Sequence, residues 1–419
     1  IAPHAGDDLQ ALAKGGRTNV AGFFMRLIAR IPFLIIGGQW YGAEALGRLA
    51  YAIIIVEFAA QLATLGLKRG LALHLTGEGK ENGAWDGLVV VLLATFPLTA
   101  LLMIFPQIMF PNSTINRLDY LLPLIVPALA ASDLMLSALA YRFDVGATVR
   151  ARAIIEPWTI SIAAFALAWS LPRDGLLVAY ALSMGAAFIA SLIPFLKTYG
   201  LPKNWKPRPD ALWALTRRNA PLAAADAIEW GSRRMDLAIL GLFVSPATVG
   251  IYWVAQQVAS LPQKLKTSFD PVLGPVITRR LEENDRAAVA RQISQVGFWI
   301  LAAQLGVALT LGIPAGGILG LIGPGGSFVG GTAALAFLLA AEVVAALAVV
   351  SEAALVYIAR HRNMLISFGM IGLQAVLTIV ILYVLQKEGL DETWIAAGAA
   401  ASLCLALAVG SLAKSLLAR

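Results

Sequence analysis

The feature that most constrains this chain is a succession of twelve apolar segments of bilayer length with little between them. They run Asn19–Gly38, Ala43–Leu67, Gly87–Phe110, Leu118–Tyr141, Ile154–Leu171 and Leu176–Leu196, then Asn219–Phe243, Ala247–Leu265, Val296–Ile313, Thr332–Ile358, Leu365–Leu385 and Thr393–Leu412. A helix of about 20 apolar residues crosses the hydrocarbon core, and helix satisfies every backbone polar group within the segment. Hydrophobic residues make up 59% of the chain and charged residues 14%, against roughly 45–50% and 25% in soluble domains. The expected fold is an all-α integral membrane protein of about twelve transmembrane helices.

The net charge of +7 raises nucleic acid as a partner, but the basic residues alternate between loops instead of gathering on one face. That is the signature of topology, so no nucleic-acid role is expected. With the amino terminus inside, 24 Lys and Arg fall in cytoplasmic segments and 4 (Arg48, Arg117, Arg173, Lys387) in external ones. Both termini are expected in the cytoplasm. The single cysteine, Cys404, and the scattered His4, His74 and His361 offer no disulfide, metal or redox site. The first eighteen residues lack an apolar core, so no cleavable signal peptide is expected before the first span. The expected division is a cytoplasmic segment 1–18, an N-lobe 19–198, a linker 199–218 and a C-lobe 219–419. The linker belongs to a stretch, Lys197–Arg218, with six basic residues and Pro202, Pro207 and Pro209. An interfacial helix is expected over Pro275–Arg291. The Gly- and Pro-rich turn Gly312–Gly331 reads as a flexible hairpin, since no phosphate-binding glycine spacing occurs in it.

Sliding the chain on itself by 203 residues superimposes Arg30 on Arg233, Gly47 on Gly250, Ala52 on Ala255 and Thr64 on Thr267. Each half has six spans, so both enter the membrane from the same side. Two six-helix bundles related by a parallel pseudo-two-fold repeat are therefore expected, an arrangement that in transporters places cargo between the halves.

Charges inside the spans are the candidate chemistry, because hydrocarbon rejects them unless they face protein or water. Arg26 and Arg30 share one helix face with Asn19 at i, i+4 spacing. Span seven carries Asp226, Glu229, Arg233 and Asp236 in one stripe, with Arg234 about a quarter turn away. Span two carries Glu57, Gln61, Thr64 and Lys68 on one face, and span eight carries Gln256, Ser260, Gln263, Lys264 and Thr267. Four such stripes would line a hydrated cavity. A guanidinium fork matches phosphate oxygens bidentately and stays charged at any relevant pH. The alternative is that the arginines pair with Glu57, Glu229 or Asp236 and lock helices together. Asp133 and Glu342 are equally open, as protonatable coupling groups or as counter-ions. Glu156, beside Arg150 and Arg152, reads as a helix-terminal ion pair.

The stretch GGRTNVAGFFMRLIARIPFLIIGGQWYGAEALGRLAYAIIIVEFAAQLATLGLKRGL resembles the opening of Wzx-type polysaccharide transporters, members of the multidrug/oligosaccharidyl-lipid/polysaccharide (MOP) superfamily. RRMDLAILGLFVSPATVGIYWVAQQVASLPQKLKTSFDPVLGPVITRRLEE resembles their seventh and eighth helices and the cytoplasmic segment that follows. The resemblance implies a MATE-like fold whose first and seventh helices line a central cavity. It implies a non-enzymatic flippase for an undecaprenyl-pyrophosphate-linked oligosaccharide in the bacterial inner membrane, serving O-antigen, exopolysaccharide or capsule synthesis. Arg26, Arg30 and Arg233 would bind the pyrophosphate, with Arg234 beside them. Asn19, Gln61, Gln256, Ser260, Gln263, Lys264 and Thr267 would supply polar contacts. The acids of span seven depart from a purely cationic cavity and leave room for H+ or Na+ coupling; no other cofactor is called for. A polysaccharide polymerase or export complex is a further partner of such a protein, which is expected to be a monomer. A cation-coupled multidrug exporter and a lipid II flippase of the same superfamily are the alternatives. A membrane glycosyltransferase or ligase would need a larger external catalytic domain than these loops provide.

Overall fold

The computed structural model describes residues 28, 30–75, 82–202, 205–267, 286–358 and 360–418. Each of the twelve apolar segments falls on helix there, the first as far as it is described. Helix α1 occupies residues 30–36 and leaves through a π-turn, Gly37–Tyr41. Gly42 follows with φ +81°, a left-handed backbone that only glycine adopts without strain. Helix α2 (Gly42–Ala63) stops earlier than the apolar pattern suggests, because Leu65 and Gly66 both take positive φ before α3 (Leu67–Leu75) begins. Lys68, read from the sequence as part of the polar stripe of span two, lies beyond that break on α3.

Beyond it come α4 (Gly83–Ile104), α5 (Ile125–Tyr141), α6 (Glu156–Leu167) and α7 (Gly175–Tyr199). A second π-turn, Val149–Ile155, leads into α6. The last helices are α8 (Pro209–Leu240), α9 (Pro246–Thr267), α10 (Arg286–Gly312), α11 (Thr332–Ile358), α12 (Arg360–Lys387) and α13 (Glu392–Ala418). Helix α8 starts at Pro209, where a ring that lacks an N–H costs nothing; the second half of the basic linker is therefore helical. The expected helix over Pro275–Arg291 lies mostly outside the described residues. The turn after α10 is folded: a short helix, Ala315–Gly320, and two 3-10 turns enclose the fully buried Phe328.

The chain divides into two compact units, one containing Arg48–Trp230 with the residues up to Tyr41, the other Gly42–Gly47 with Gly231–Arg419. In the first unit α5 packs between α4 and α7, and α6 lies on α7. Ala130, Ala131, Leu134, Met135, Ala138 and Leu139 of α5 are buried. In the second, α11 packs on α13, α10 and α9. The facing surfaces are small: Ala334 and Ala341 on α11, Ala396, Ala397, Ala399, Ala400 and Ala406 on α13. Lipid gives apolar side chains no reason to cluster, so close backbone approach over small residues holds such helices together. Other large apolar side chains are turned outward, as with Phe96, Ile162, Val376 and Tyr383.

Candidate functional site

The first polar cluster lies in the first unit, around Asp133 of α5. Arg152 donates to Asp133 at 2.5 Å and to Glu156 at 2.8 Å, and Lys68 reaches the other Asp133 oxygen at 3.1 Å. Arg152 reaches both acids from the π-turn Val149–Ile155. Asp133 is thus a counter-ion to two cations, and the Arg152–Glu156 contact is the helix-terminal pair read from the sequence.

A second cluster joins α3 to the first half of α8. Arg69 Nε lies 2.6 Å from the buried Asp226 carboxylate. Above it Gly66 and Gly70 leave a notch for Asn219: a Cβ on Gly70 would sit 1.7 Å from Asn219 Oδ1. Trp230 stacks on Phe58 with ring centroids 4.4 Å apart. Asp226, the first carboxylate of the span-seven stripe, is thus paired with Arg69 of α3.

The last carboxylate of the stripe has a different environment. Asp236 is fully buried in the second unit, where Tyr252 Oη donates at 2.5 Å and Gln256 Nε2 at 3.2 Å, both from α9. Both of these donors are neutral, and the Arg234 charge also acts on Asp236. Tyr252 was missed in the sequence, although its i, i+4 spacing from Gln256 puts both on the face of α9 turned to Asp236.

The sequence also missed an enclosed ion pair. Arg48, which topology counting assigns to an external segment, lies on α2 at 5% exposure. It bonds the fully buried Asp119 at 2.9 Å and the Thr114 carbonyl at 3.1 Å, beside the Phe110 ring.

Of the remaining candidates, Arg30 is exposed on α1, and Gln61, Glu57, Arg234 and Glu342 are half-buried. Thr64 Oγ1 donates to the Gln61 carbonyl, and Ser260 Oγ to the Gln257 carbonyl, each at 2.7 Å. Asn19 and Arg26 lie outside the described residues, as do the side chains of Glu229, Arg233, Gln263, Lys264 and Thr267.

Bilayer-length helices in two compact units, with charges closed into pairs at membrane depth, define a polytopic α-helical membrane protein. No protein-family model and no curated protein matches the chain. Solved structures do. Lipid II flippase MurJ in an inward closed conformation matches at TM-score 0.71 and 12% identity, covering 96% of this chain and 87% of that one. An inward-facing multidrug resistance transporter of the MATE family, in the MOP superfamily, matches at TM-score 0.71 and 14% identity, covering 94% of each chain. A Vibrio cholerae MATE transporter matches at TM-score 0.58 and 12% identity over 97% of this chain and 98% of its own. Likeness at such identities speaks to the fold: this chain has the fold of the MOP superfamily, and these neighbours are transporters.

Proposed function

We propose that the protein is a flippase that carries a polyprenyl-(pyro)phosphate-linked oligosaccharide from the cytoplasmic to the outer leaflet of the bacterial inner membrane by alternating access. The observation that carries this reading is the balance of charge. Asp133 is neutralised by Lys68 and Arg152, and Asp226 by Arg69, while Asp236 is enclosed by Tyr252 and Gln256. Carboxylates that would draw a cationic drug are thus occupied. The first span carries two arginines, Arg26 and Arg30, at i, i+4 spacing in the sequence, and Arg30 is exposed. That chemistry favours an acidic headgroup. In this reading Arg26, Arg30 and Arg233 are the pyrophosphate-binding residues, and Gln61, Gln256, Ser260, Gln263 and Thr267 those that hydrogen-bond the sugars. Both termini lie in the cytoplasm.

The two likenesses of equal TM-score, to a lipid II flippase and to a multidrug transporter, keep two rival cargoes in view. They separate in one experiment. Proteoliposomes are loaded with a fluorescent polyprenyl-pyrophosphate oligosaccharide, with lipid II, or with a cationic dye, and translocation is followed for wild type and Arg30→Ala. The expected result is transport of the oligosaccharide lipid, reduced at least about tenfold by Arg30→Ala, since a charge-assisted bidentate contact is worth about 1.5–3 kcal/mol. Dye transport that persists in the variant would overturn the reading in favour of an exporter. Transport of lipid II alone would reassign the cargo.

A further inference from the structure

In the first unit a cavity of about 410 Å³ opens where α7 ends, a volume within the usual range for ligand sites. Its lining divides by chemistry. Ile155 from the π-turn and Ala190, Ile193 and Pro194 from α7 give an apolar wall, while Arg150, Lys197, Thr198 and Asp144 form a polar rim. Asp144 is already engaged: one of its oxygens caps the following turn by accepting from the Ala147 N–H at 3.1 Å, and the other stands 3.7 Å from Arg150. Two cations against one committed carboxylate leave the rim positive.

The surroundings place this rim at a membrane boundary. Ile189 and Ile193, one turn apart on α7, are both more than half or about half exposed, an outward apolar face leading up to Lys197. On the other side Phe143 projects at 79% exposure from a positive φ of 63°. A bulky residue rarely takes that backbone, and an aromatic held outward at the end of a span suits the headgroup layer. Pro194 adds a further group. Without an N–H it leaves the carbonyl of Ala190, four residues back, without its helical donor. An acceptor is thus available on a residue that lines the cavity.

We propose that this cavity binds an anionic phospholipid of the phosphatidylglycerol type. The phosphate sits between Arg150 and Lys197, the headgroup hydroxyls have the Ala190 carbonyl and Thr198 as partners, and an acyl chain runs along Ile155, Pro194 and Ile193. A basic side chain near an anionic headgroup contributes on the order of 1 kcal/mol, so two give selectivity of roughly tenfold or more over a zwitterionic lipid. The site is separate from the translocated cargo and does not depend on its identity.

The test is native mass spectrometry of the full-length protein, purified in detergent and titrated with phosphatidylglycerol or phosphatidylcholine of matched chains. Wild type is expected to retain phosphatidylglycerol at least about tenfold better. Arg150→Ala/Lys197→Ala is expected to fall to the phosphatidylcholine level, and Arg150→Lys/Lys197→Arg to keep the preference, which separates lost charge from lost fold. An excess of inorganic phosphate is expected to leave the retained lipid in place. Equal retention of the two lipids by wild type, an unchanged preference in the double alanine variant, or displacement by phosphate alone would each overturn the proposal.

Discussion

Arg48 illustrates how a single residue settles in a membrane protein. At 5% exposure it is too deep to shed its charge into water, and Asp119, wholly buried, is its neutraliser across 71 positions of chain. Two ions taken out of water repay the cost only with good geometry and further hydrogen bonds. Here Asp119 also accepts from the Asn116 N–H at 2.7 Å, and Arg48 donates to the Thr114 carbonyl. Removing one partner strands the other. Asp119→Ala is expected to destabilise the protein by about 3–5 kcal/mol, read as a fall in the thermal unfolding midpoint in detergent. Arg48→Met/Asp119→Leu, which removes both charges, should recover most of that loss. Unfolding midpoints indistinguishable from wild type in Asp119→Ala would show that the pair carries no stability. Nothing in local sequence couples these two residues, since neither periodicity nor spacing reaches from α2 to the turn before α5.

At the scale of elements, the 203-residue repeat and the packing meet in one pair of glycines. Gly47 and Gly250, matched in the repeat, lie against each other within the second unit. A Cβ on Gly47 would stand 1.7 Å from the Pro246 carbonyl oxygen, and one on Gly250 2.0 Å from that of Ala43. Backbone blocks backbone there, so no rotamer relieves the clash. Gly47→Ala and Gly250→Ala are each expected to cost about 1–3 kcal/mol, whereas Gly185→Ala, where an added Cβ meets nothing within 4 Å, should be neutral or stabilise by up to about 1 kcal/mol. Equal midpoints for all three variants would remove the close approach from the account. The spans themselves were legible because hydropathy and helix length are set by the bilayer. Departures from regular helix were not. The left-handed Leu65 between α2 and α3 and the π-turn that holds Arg152 are such departures, and neither carries a glycine or proline signal at its own position.

For the molecule as a whole, the question is which acid changes charge during a transport cycle. The sequence offered Glu57, Asp133, Asp226, Glu229, Asp236 and Glu342 as coupling groups or counter-ions, because depth in a span says nothing of the partner on the next helix; three of them have described partners. The structure separates them. Asp133 and Asp226 face cations, and protonating either would abandon a guanidinium or ammonium group. Asp236 accepts from the Tyr252 hydroxyl and the Gln256 amide, neutral donors, and its charged neighbour is Arg234; carboxyl oxygens keep lone pairs for such donors whether the group is charged or protonated. A coupling group needs that tolerance, because its bound and empty forms must both be accessible within one fold. If H+ or Na+ drives the cycle through Asp236, Asp236→Asn should still fold and exchange substrate at equilibrium. It should also lose the acceleration that an imposed pH or sodium gradient gives wild-type proteoliposomes. Asp133→Asn should instead lower the unfolding midpoint, since it leaves Arg152 and Lys68 short of a counter-ion. A gradient response that survives in Asp236→Asn would move coupling to another acid, and a wild type indifferent to both gradients would show that the cargo moves down its own gradient alone.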